Sequence, residues 1–320
     1  MDVNLAMYYP YFRGKQNELI TIRNNAELMA NANFIPIIEP VRETLNGLKR
    51  ALDAVVDAGG KAVVIVNPFH GDYSGNGNSL TELLAEHFEH EDGVSAGVLL
   101  TSDVSIDEAV LCCNRHENHA LTLIHAGFSS AKALSSALGD KAGGMTHCFF
   151  EEEAGKLYQK HFFSAPQKIL IRDGFKKRKN REHPKVELFS DLHATFELEN
   201  MQGFGDFLIV GDEYSESGGP AYAVAIHLTF IDEEQDDAMF VYHFISDRQD
   251  TPQDPAGKFL EALNKLIDKA DEPKSKILPT NAIKEFRDFH ARKHFPGLGY
   301  AKKLSMQHHI EVLAKYFQVD

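Results

Sequence analysis

The sequence predicts an α/β protein of the (β/α)8 TIM-type barrel class, with a β-hairpin insertion after strand 8 and extra C-terminal helices. Short apolar runs of strand length alternate with helical patterns through about the first 215 residues, and such alternation implies parallel βαβ crossovers. The repeating units number about eight, which is the count that closes a barrel. An open doubly wound sheet is the alternative, but its usual G-x-G-x-x-G or Walker A turn is missing from the chain.

The predicted strands are short, mostly apolar runs, as expected where helices cover a parallel sheet. In order they span 7–12, 34–38, 62–66, 96–100, 121–124, 146–150, 168–171 and 206–210. The predicted helices show apolar residues at helical spacing, often behind a capping residue such as Ser105 with Glu108. They comprise a helix through Leu19, Ile22 and Leu28 and helices at 46–58, 79–88, 105–113, 130–138, 155–163 and 186–198.

Beyond Tyr214 the apolar pattern changes from helical spacing to strict alternation. The runs 222–231 and 239–245 enclose a short acidic link, which indicates an antiparallel hairpin within an insertion at 216–247. A hairpin symmetric about Gln235 places His227 opposite His243, where the two imidazoles could share a metal ion or respond to pH. Two structural histidines are the alternative to that metal site.

Three helical patterns follow the hairpin. Asp254 and Pro255 have the sequence of an N-cap and first turn, and the helix that they open is expected to be the eighth helix of the barrel. Helices at 280–294 and 305–317 belong to a C-terminal helical extension at 275–320. All of 1–320 is expected to form a single barrel domain, because barrels of this length are common as one unit.

Composition excludes several classes of function. The net charge of −14 argues against broad binding to duplex DNA or to an anionic membrane surface. Three cysteines, two of them adjacent, form neither a disulfide framework nor a zinc motif. No apolar run is long enough to cross a bilayer, and the N-terminal residues do not resemble a signal peptide. The expected location is the cytoplasm.

Polar residues that follow barrel strands point into the mouth where barrels build their sites, so they are the first candidates for chemistry. The sequence places a charged ring there, which includes Arg13, Lys15, Glu39, His125, Glu151, Arg172, Asp173 and Asp212. Glu39, Asp173 and Asp212 are the candidate catalytic carboxylates, and Glu39 and Asp212 join His227 and His243 as candidate metal ligands. Carboxylates from separate strands suit Mg²⁺ or Mn²⁺. Alternatively, Arg–carboxylate pairs at strand ends only close the barrel.

A run of cations follows the seventh predicted strand in this otherwise acidic chain. Lys176, Lys177 and Arg178 begin the run, which extends to Lys185, and barrels frequently bind phosphate with the loops after strands seven and eight. The predicted ligand-binding residues are Arg13, Lys15, Arg172, Lys176, Lys177 and Arg178. A dock for an acidic partner protein and a solvated link with no specific role remain open as alternatives.

Several motifs together resemble the phage beta protein family, most closely a bacterial branch of it. The segments that carry the resemblance are 8–19 (YYPYFRGKQNEL), 36–41 (PIIEPV), 172–175 (RDGF), 203–207 (GFGDF), 211–214 (GDEY), 218–220 (GGP) and 226–229 (IHLT). The resemblance implies a bacterial or phage origin, a neighbouring gene for a partner protein and a part in phage–host conflict. It supplies no catalytic residues.

The residues therefore predict a barrel that binds a phosphate-bearing ligand, a nucleotide or a nucleic-acid end, and the resemblance implies that it acts with a partner protein in antiphage defence. One alternative is a metal-dependent hydrolase of phosphodiesterase type that uses the carboxylates of the mouth. The other is a non-catalytic adaptor. All three place Glu39, Arg172 and Asp212 on one common rim.

Overall fold

A computed structural model describes residues 7–216 and 218–317. Contacts group these residues into two compact units: the first comprises 7–172 and Thr195–Phe207, and the second comprises Asp173–Ala194, 208–216 and 218–317. The single domain over 1–320 stays a prediction. Three parts of the predicted ranges lie outside the described residues: 1–6 at the start of the predicted domain, 217 in the predicted insertion and 318–320 in the predicted C-terminal extension.

The described strands are short. In chain order they are β1 Met7–Phe12, β2 Ile37–Ile38, β3 Ala62–Ile65, β4 Val94–Leu100, β5 Leu121–His125, β6 Thr146–Phe150, β7 Gln167–Ile171, β8 Val186–Ser190, β9 Gly203–Asp206, β10 Ala225–Asp232 and β11 Ala238–Ile245. The α-helices are α1 Gln16–Asn24, α2 Ala26–Asn31, α3 Asn46–Asp57, α4 Asn78–His87, α5 Ile106–Arg115, α6 Ala131–Leu138, α7 Lys156–Gln159, α8 Leu192–Thr195, α9 Pro255–Ala270, α10 Asn281–Arg292 and α11 Leu298–Phe317.

The first unit contains a closed barrel of eight parallel strands in the order β1-β2-β3-β4-β5-β6-β7-β9. Helices alternate with these strands, so the predicted (β/α)8 class is confirmed. Alternate residues of the strands fill the interior, as the two-residue period of a strand requires. Among the buried residues that pack there are Tyr9, Tyr11, Ile37, Val63, Ile65, Leu99, Ile124, Cys148, Phe150, Ile169 and Ile171.

The eighth strand of the barrel begins and ends earlier than the prediction at 206–210. It is β9, and Leu208 just beyond it has a φ of +50°, which no strand residue adopts. Phe207, Leu208 and Ile209 are apolar because they are buried at a turn, so the sequence alone does not distinguish them from strand residues. The strand itself is glycine-rich because the barrel is tight: a Cβ on Gly205 would lie 2.4 Å from the carbonyl oxygen of Tyr9.

The helix predicted at 186–198 is wrong. Its first residues form β8, which pairs antiparallel with β11, and only the four residues of α8 are helical. Val186 and Leu188 are exposed side chains of an edge strand, which a periodicity argument counts as apolar positions of a helix. The helix predicted at 155–163 is likewise reduced to α7 and a short 3₁₀ turn.

The second unit contains a three-stranded antiparallel sheet in the order β10-β11-β8. The predicted hairpin is confirmed, and so is its register, since His227 pairs with His243 across β10 and β11. One face of the hairpin packs on α9, α10 and α11 through residues such as Ile226, Leu228, Phe259 and Leu263. Thus α9, the expected eighth helix of the barrel, shares its core with the hairpin.

None of the helices within 7–216 and 218–317 is both long enough and apolar enough to cross a membrane.

The start of α9 is as predicted. Asp254, which directly precedes Pro255, is the N-cap residue, and its carboxylate accepts a 2.9 Å hydrogen bond from the backbone N–H of Gly257.

Candidate functional site

Glu39 lies at the carboxyl end of β2, on the rim of the barrel, and its side chain is fully buried. Its Oε2 accepts hydrogen bonds from the Tyr11 hydroxyl at 2.9 Å and from the guanidinium of Arg13. Its Oε1 accepts from the backbone N–H groups of Phe69 and His70, each at 3.0 Å, and lies 3.1 Å from Nδ1 of His70. A carboxylate has about four acceptor positions, so this arrangement leaves none for a metal ion.

The same contacts set the charge of Glu39. Burial by itself would raise the pKa of the carboxyl group, but the hydrogen bond from His70 and the charge of Arg13 lower the pKa to about 2. A carboxylate with so low a pKa is a weak base and carries no proton to donate at neutral pH. Glu39 therefore organises the rim of the barrel by joining the segments after β1, β2 and β3.

The other cations predicted for the barrel mouth are also engaged or peripheral. Arg172 forms a bidentate pair with Glu151, with N···O distances of 2.6 and 2.8 Å. Arg13 is buried over the ring of Tyr11, and Lys15 is half-buried at the N-cap position of α1. His125, assigned to the mouth from the sequence, packs against His147 and Phe162, while its neighbour Ile124 is the residue that faces the barrel interior.

Asp173 and Asp212 belong to the second unit, whereas Glu39 and Arg172 belong to the first, so the common rim stays a prediction. The Asp173 carboxylate connects its own loop to the loop after β9. Its oxygens accept hydrogen bonds from the backbone N–H of Phe175 at 2.9 Å and from that of Asp212 at 2.8 Å. Gly211, between those loops, has a φ of +78°. The backbone N–H of Asp212 makes this connection.

The second unit contains a cleft of about 870 Å³ beside the run of cations. Five basic side chains line it, and the described residues that line it include no acidic one. These five are Lys177, Arg178, Lys179, Arg181 and Lys302. Lys176, the remaining cation predicted to bind the ligand, is exposed and is not part of the lining.

The five cations differ in their partners. Arg178 pairs with Glu187 at 3.1 Å, and Lys177 reaches Glu213 at 3.1 Å. Lys179 and Arg181 form no ion pair with any carboxylate in the parts of the chain that the structure describes. Their charges are therefore available to a ligand.

The rest of the cleft is apolar or glycine-rich. Ile209, Val210 and Leu298 contribute apolar surface, and Gly218 and Gly219 contribute backbone without side chains. The ring of Tyr222, which is 47% exposed, lies at the same cleft. An exposed aromatic ring next to cations is the combination that stacks a base while holding its phosphate.

Three histidines cluster at this cleft. His227 and His243 face each other on the hairpin with their Nδ1 atoms 2.7 Å apart, and His183 contributes a third ring from the loop before β8. One nitrogen from each imidazole lies within 4.8 Å of the others, and all three residues are buried. His183 and His227 line the cleft, and Phe175 packs against all three rings.

Glu187 connects the histidines to the cations. One of its oxygens lies 3.1 Å from Nε2 of His243, and the other lies 3.1 Å from the guanidinium of Arg178. The carboxylate accepts a hydrogen bond from the Nε2–H group of His243, which leaves the Nδ1 lone pair of neutral His243 directed at His227.

The cluster holds its imidazoles in the neutral form. Burial lowers the pKa of His227 strongly, and the charges of His243, His183 and Lys302 lower it further. Burial and the proximity of His183 lower the pKa of His243 to about 4, against the opposing effect of Glu187. Burial also lowers the pKa of His183, with Arg178 adding to the shift. Neutral imidazole is the form that binds metal ions.

Sequence analysis identified two of the three histidines and missed His183 and Glu187. Both precede or open β8, which was predicted to start a helix, so their position beside β11 was hidden. The pairing of Val241 with Glu187, continued by a backbone bond from His243 to Lys185, brings them next to the hairpin. The run Val186–Phe189 does not alternate between apolar and polar residues, since Leu188 and Phe189 are adjacent, so the sequence gives no clear strand signal there.

Comparison with models of protein families and with curated proteins finds no match for this chain. The resemblance to the phage beta protein family therefore stays a prediction.

Proposed function

We propose that the second unit binds a phosphate-bearing ligand, a nucleotide or a nucleic-acid end, in the basic cleft. The observation that carries this proposal is the segregation of charge: five cations and no described acidic residue line one cleft of a chain whose net charge is −14. Guanidinium and ammonium groups are the usual partners of phosphate oxygens.

The dimensions and the apolar walls favour a nucleotide over a bare phosphate ion. A cleft of about 870 Å³ lies within the range of roughly 300–1,000 Å³ that is typical of small-molecule sites. Lys179 and Arg181 supply uncommitted charge, and Tyr222 supplies a ring for a base. From the resemblance we further propose a role in phage–host conflict with a partner protein in the cytoplasm.

Of the alternatives, a hydrolase with its metal on Glu39 is supported least. The five hydrogen-bonding contacts of that carboxylate, together with its lowered pKa, favour the pairing that closes a barrel. An adaptor that recruits an effector remains compatible with a ligand-binding cleft, since binding requires no turnover.

A charge-reversal experiment tests the proposal. The probes are ATP and a 5′-phosphorylated deoxythymidine octamer, with binding measured by calorimetry at two salt concentrations. In the double variant Lys179→Glu/Arg181→Glu we expect at least a tenfold loss of affinity and a shallower salt dependence, because two phosphate contacts are removed.

The same loop offers a control with the same change in charge. Lys176 and Lys185 are exposed and lie outside the lining, so Lys176→Glu/Lys185→Glu should change affinity less than threefold. Equal losses of affinity in the two double variants would mean that net charge, and not the cleft, determines binding, and would contradict the proposal. Failure of the unaltered protein to bind either probe at low salt would refute the proposal.

A further inference from the structure

We infer that His183, His227 and His243 form a binding site for one divalent transition-metal ion, with Zn²⁺ as the expected ion, in the wall of the basic cleft. The site itself is independent of the proposed function. Its role, to hold a phosphate oxygen of the ligand, rests on that function.

The donor atoms are already close to the arrangement that a zinc ion requires. Three segments of chain bring one nitrogen of each ring within 4.8 Å of the others. Zn–N bonds of about 2.0–2.1 Å in a tetrahedral site place ligand nitrogens roughly 3.3 Å apart. The Nδ1 atoms of His227 and His243, at 2.7 Å, share a proton that a metal ion would replace as they separate by about half an ångström.

Glu187 stands where an orienting carboxylate stands in metal sites. A ligand histidine commonly donates its second N–H to a carboxylate, which fixes the tautomer and the ring orientation. Glu187 accepts from Nε2 of His243 at 3.1 Å, so the Nδ1 lone pair faces the centre of the cluster. The carboxylate is only 15% exposed and is held on its other side by Arg178.

His183 separates this site from an ordinary pair of buried histidines. A shared proton accounts for the contact between His227 and His243 without any metal. It does not account for Nδ1 of His183, which is buried and forms no hydrogen bond within the described residues. The nearest oxygen of Glu187 is 3.7 Å away, beyond hydrogen-bonding distance. An unsatisfied buried nitrogen is uncommon, and a bound cation is one established reason for it.

The choice of metal follows from the donors. Imidazole nitrogens select Zn²⁺ and its neighbours Co²⁺, Ni²⁺ and Cu²⁺, whereas Mg²⁺ and Mn²⁺ prefer oxygen ligands. The magnesium or manganese considered from the sequence therefore does not suit this cluster. Three protein ligands leave a fourth position, as in catalytic zinc sites. His183 and His227 line the cleft, so the fourth ligand is water or an oxygen of the bound anion.

Metal titration of the full chain tests the inference. After dialysis against EDTA, we expect one Zn²⁺ per chain to bind at micromolar concentration or tighter in competition with a chromophoric chelator. Co²⁺ should give the intense visible absorption of a four-coordinate site, and Mg²⁺ should not compete. A chain that takes up no Zn²⁺ at micromolar concentration would overturn the site.

Variants locate the metal. His183 lies in a loop, so the variant His183→Gln should keep its circular dichroism spectrum and bind Zn²⁺ at least 100-fold more weakly than the unaltered protein. The variant Glu187→Gln should bind Zn²⁺ 10- to 100-fold more weakly. His193→Gln is the control, because His193 is a buried histidine of the same unit that bonds the carbonyl of Asp237 instead. Equal zinc affinity in His183→Gln and in the unaltered protein would refute the assignment.

The role of the metal is measured separately with ATP as the probe. Loading with Zn²⁺ should raise the affinity for ATP at least tenfold in the unaltered protein and leave it unchanged in His183→Gln. If Zn²⁺ binds but does not change the affinity for ATP, the proposed role of the metal in holding a phosphate oxygen is refuted, whereas the metal site itself stands. The variant Lys179→Glu/Arg181→Glu should keep its zinc affinity, so failure of the anion cleft and failure of the metal site give different results.

Discussion

Replacement of Glu39 by Gln tests whether this carboxylate holds the barrel together. The substitution keeps the size of the side chain but removes its charge and puts an amide donor among five contacts, of which the Arg13 guanidinium and the backbone N–H groups of Phe69 and His70 can only donate. Arg13, whose side chain is 7% exposed, would then lose the charge of Glu39 beside its guanidinium.

Two independent arguments give the size of the effect. Lowering the carboxyl pKa from 4.5 to about 2 corresponds to about 3 kcal/mol of stabilisation at neutral pH. Removal of one partner from a buried ion pair typically costs about 3–5 kcal/mol. We therefore expect Glu39→Gln to lower the free energy of unfolding of the barrel unit by about 3–5 kcal/mol.

Urea denaturation followed by far-ultraviolet circular dichroism measures this change, since the chain has no Trp to report by fluorescence. Hydrogen exchange in peptides that cover β1, β2 and β3 assigns the loss to the barrel unit. The double variant Arg13→Met/Glu39→Gln should recover part of the stability, because it removes both charges together.

The Arg172–Glu151 pair provides the control. Its side chains are 26% and 34% exposed, and pairs near the surface contribute less than about 1 kcal/mol, so Glu151→Gln should have a small effect. If Glu39→Gln costs no more than Glu151→Gln, the argument that burial makes Glu39 a structural residue fails.

Two further predictions concern the barrel unit. The pKa of buried His147 is lowered to about 4, chiefly by burial, so its stabilising contribution is complete above pH 6.5, the ordinary value, and is lost as the pH falls towards 4. Urea denaturation across that range should show a pH dependence that is about 3 kcal/mol smaller in His147→Gln than in the unaltered protein, and an identical slope in both proteins would contradict this reasoning. Gly205→Ala should lower the free energy of unfolding by more than about 2 kcal/mol, because the new Cβ would lie 2.4 Å from the carbonyl oxygen of Tyr9 and 3.1 Å from Ile171. Gly143→Ala, in the same unit and with no atom within 4 Å of the new Cβ, is the control, and equal stability of the two variants would refute the argument from close approach.

The fold class and the hairpin register could be predicted because both depend on local patterns. Eight strand-length runs that alternate with helical patterns specify parallel crossovers, and side-chain alternation about Gln235 specifies which residues of the hairpin face each other. The pairing of His227 with His243 therefore followed from the sequence alone.

Tertiary structure alone decided what the charged residues do. Glu39 resembles a free carboxylate in the sequence, but its partners Arg13 and His70 come from other strand ends and consume its lone pairs. Likewise, no local pattern places His183 and Glu187 beside His243, since an edge strand is recognised by the strand that it pairs with. Local periodicity determines the elements, whereas the chemistry of a buried polar group depends on neighbours that are distant in the chain.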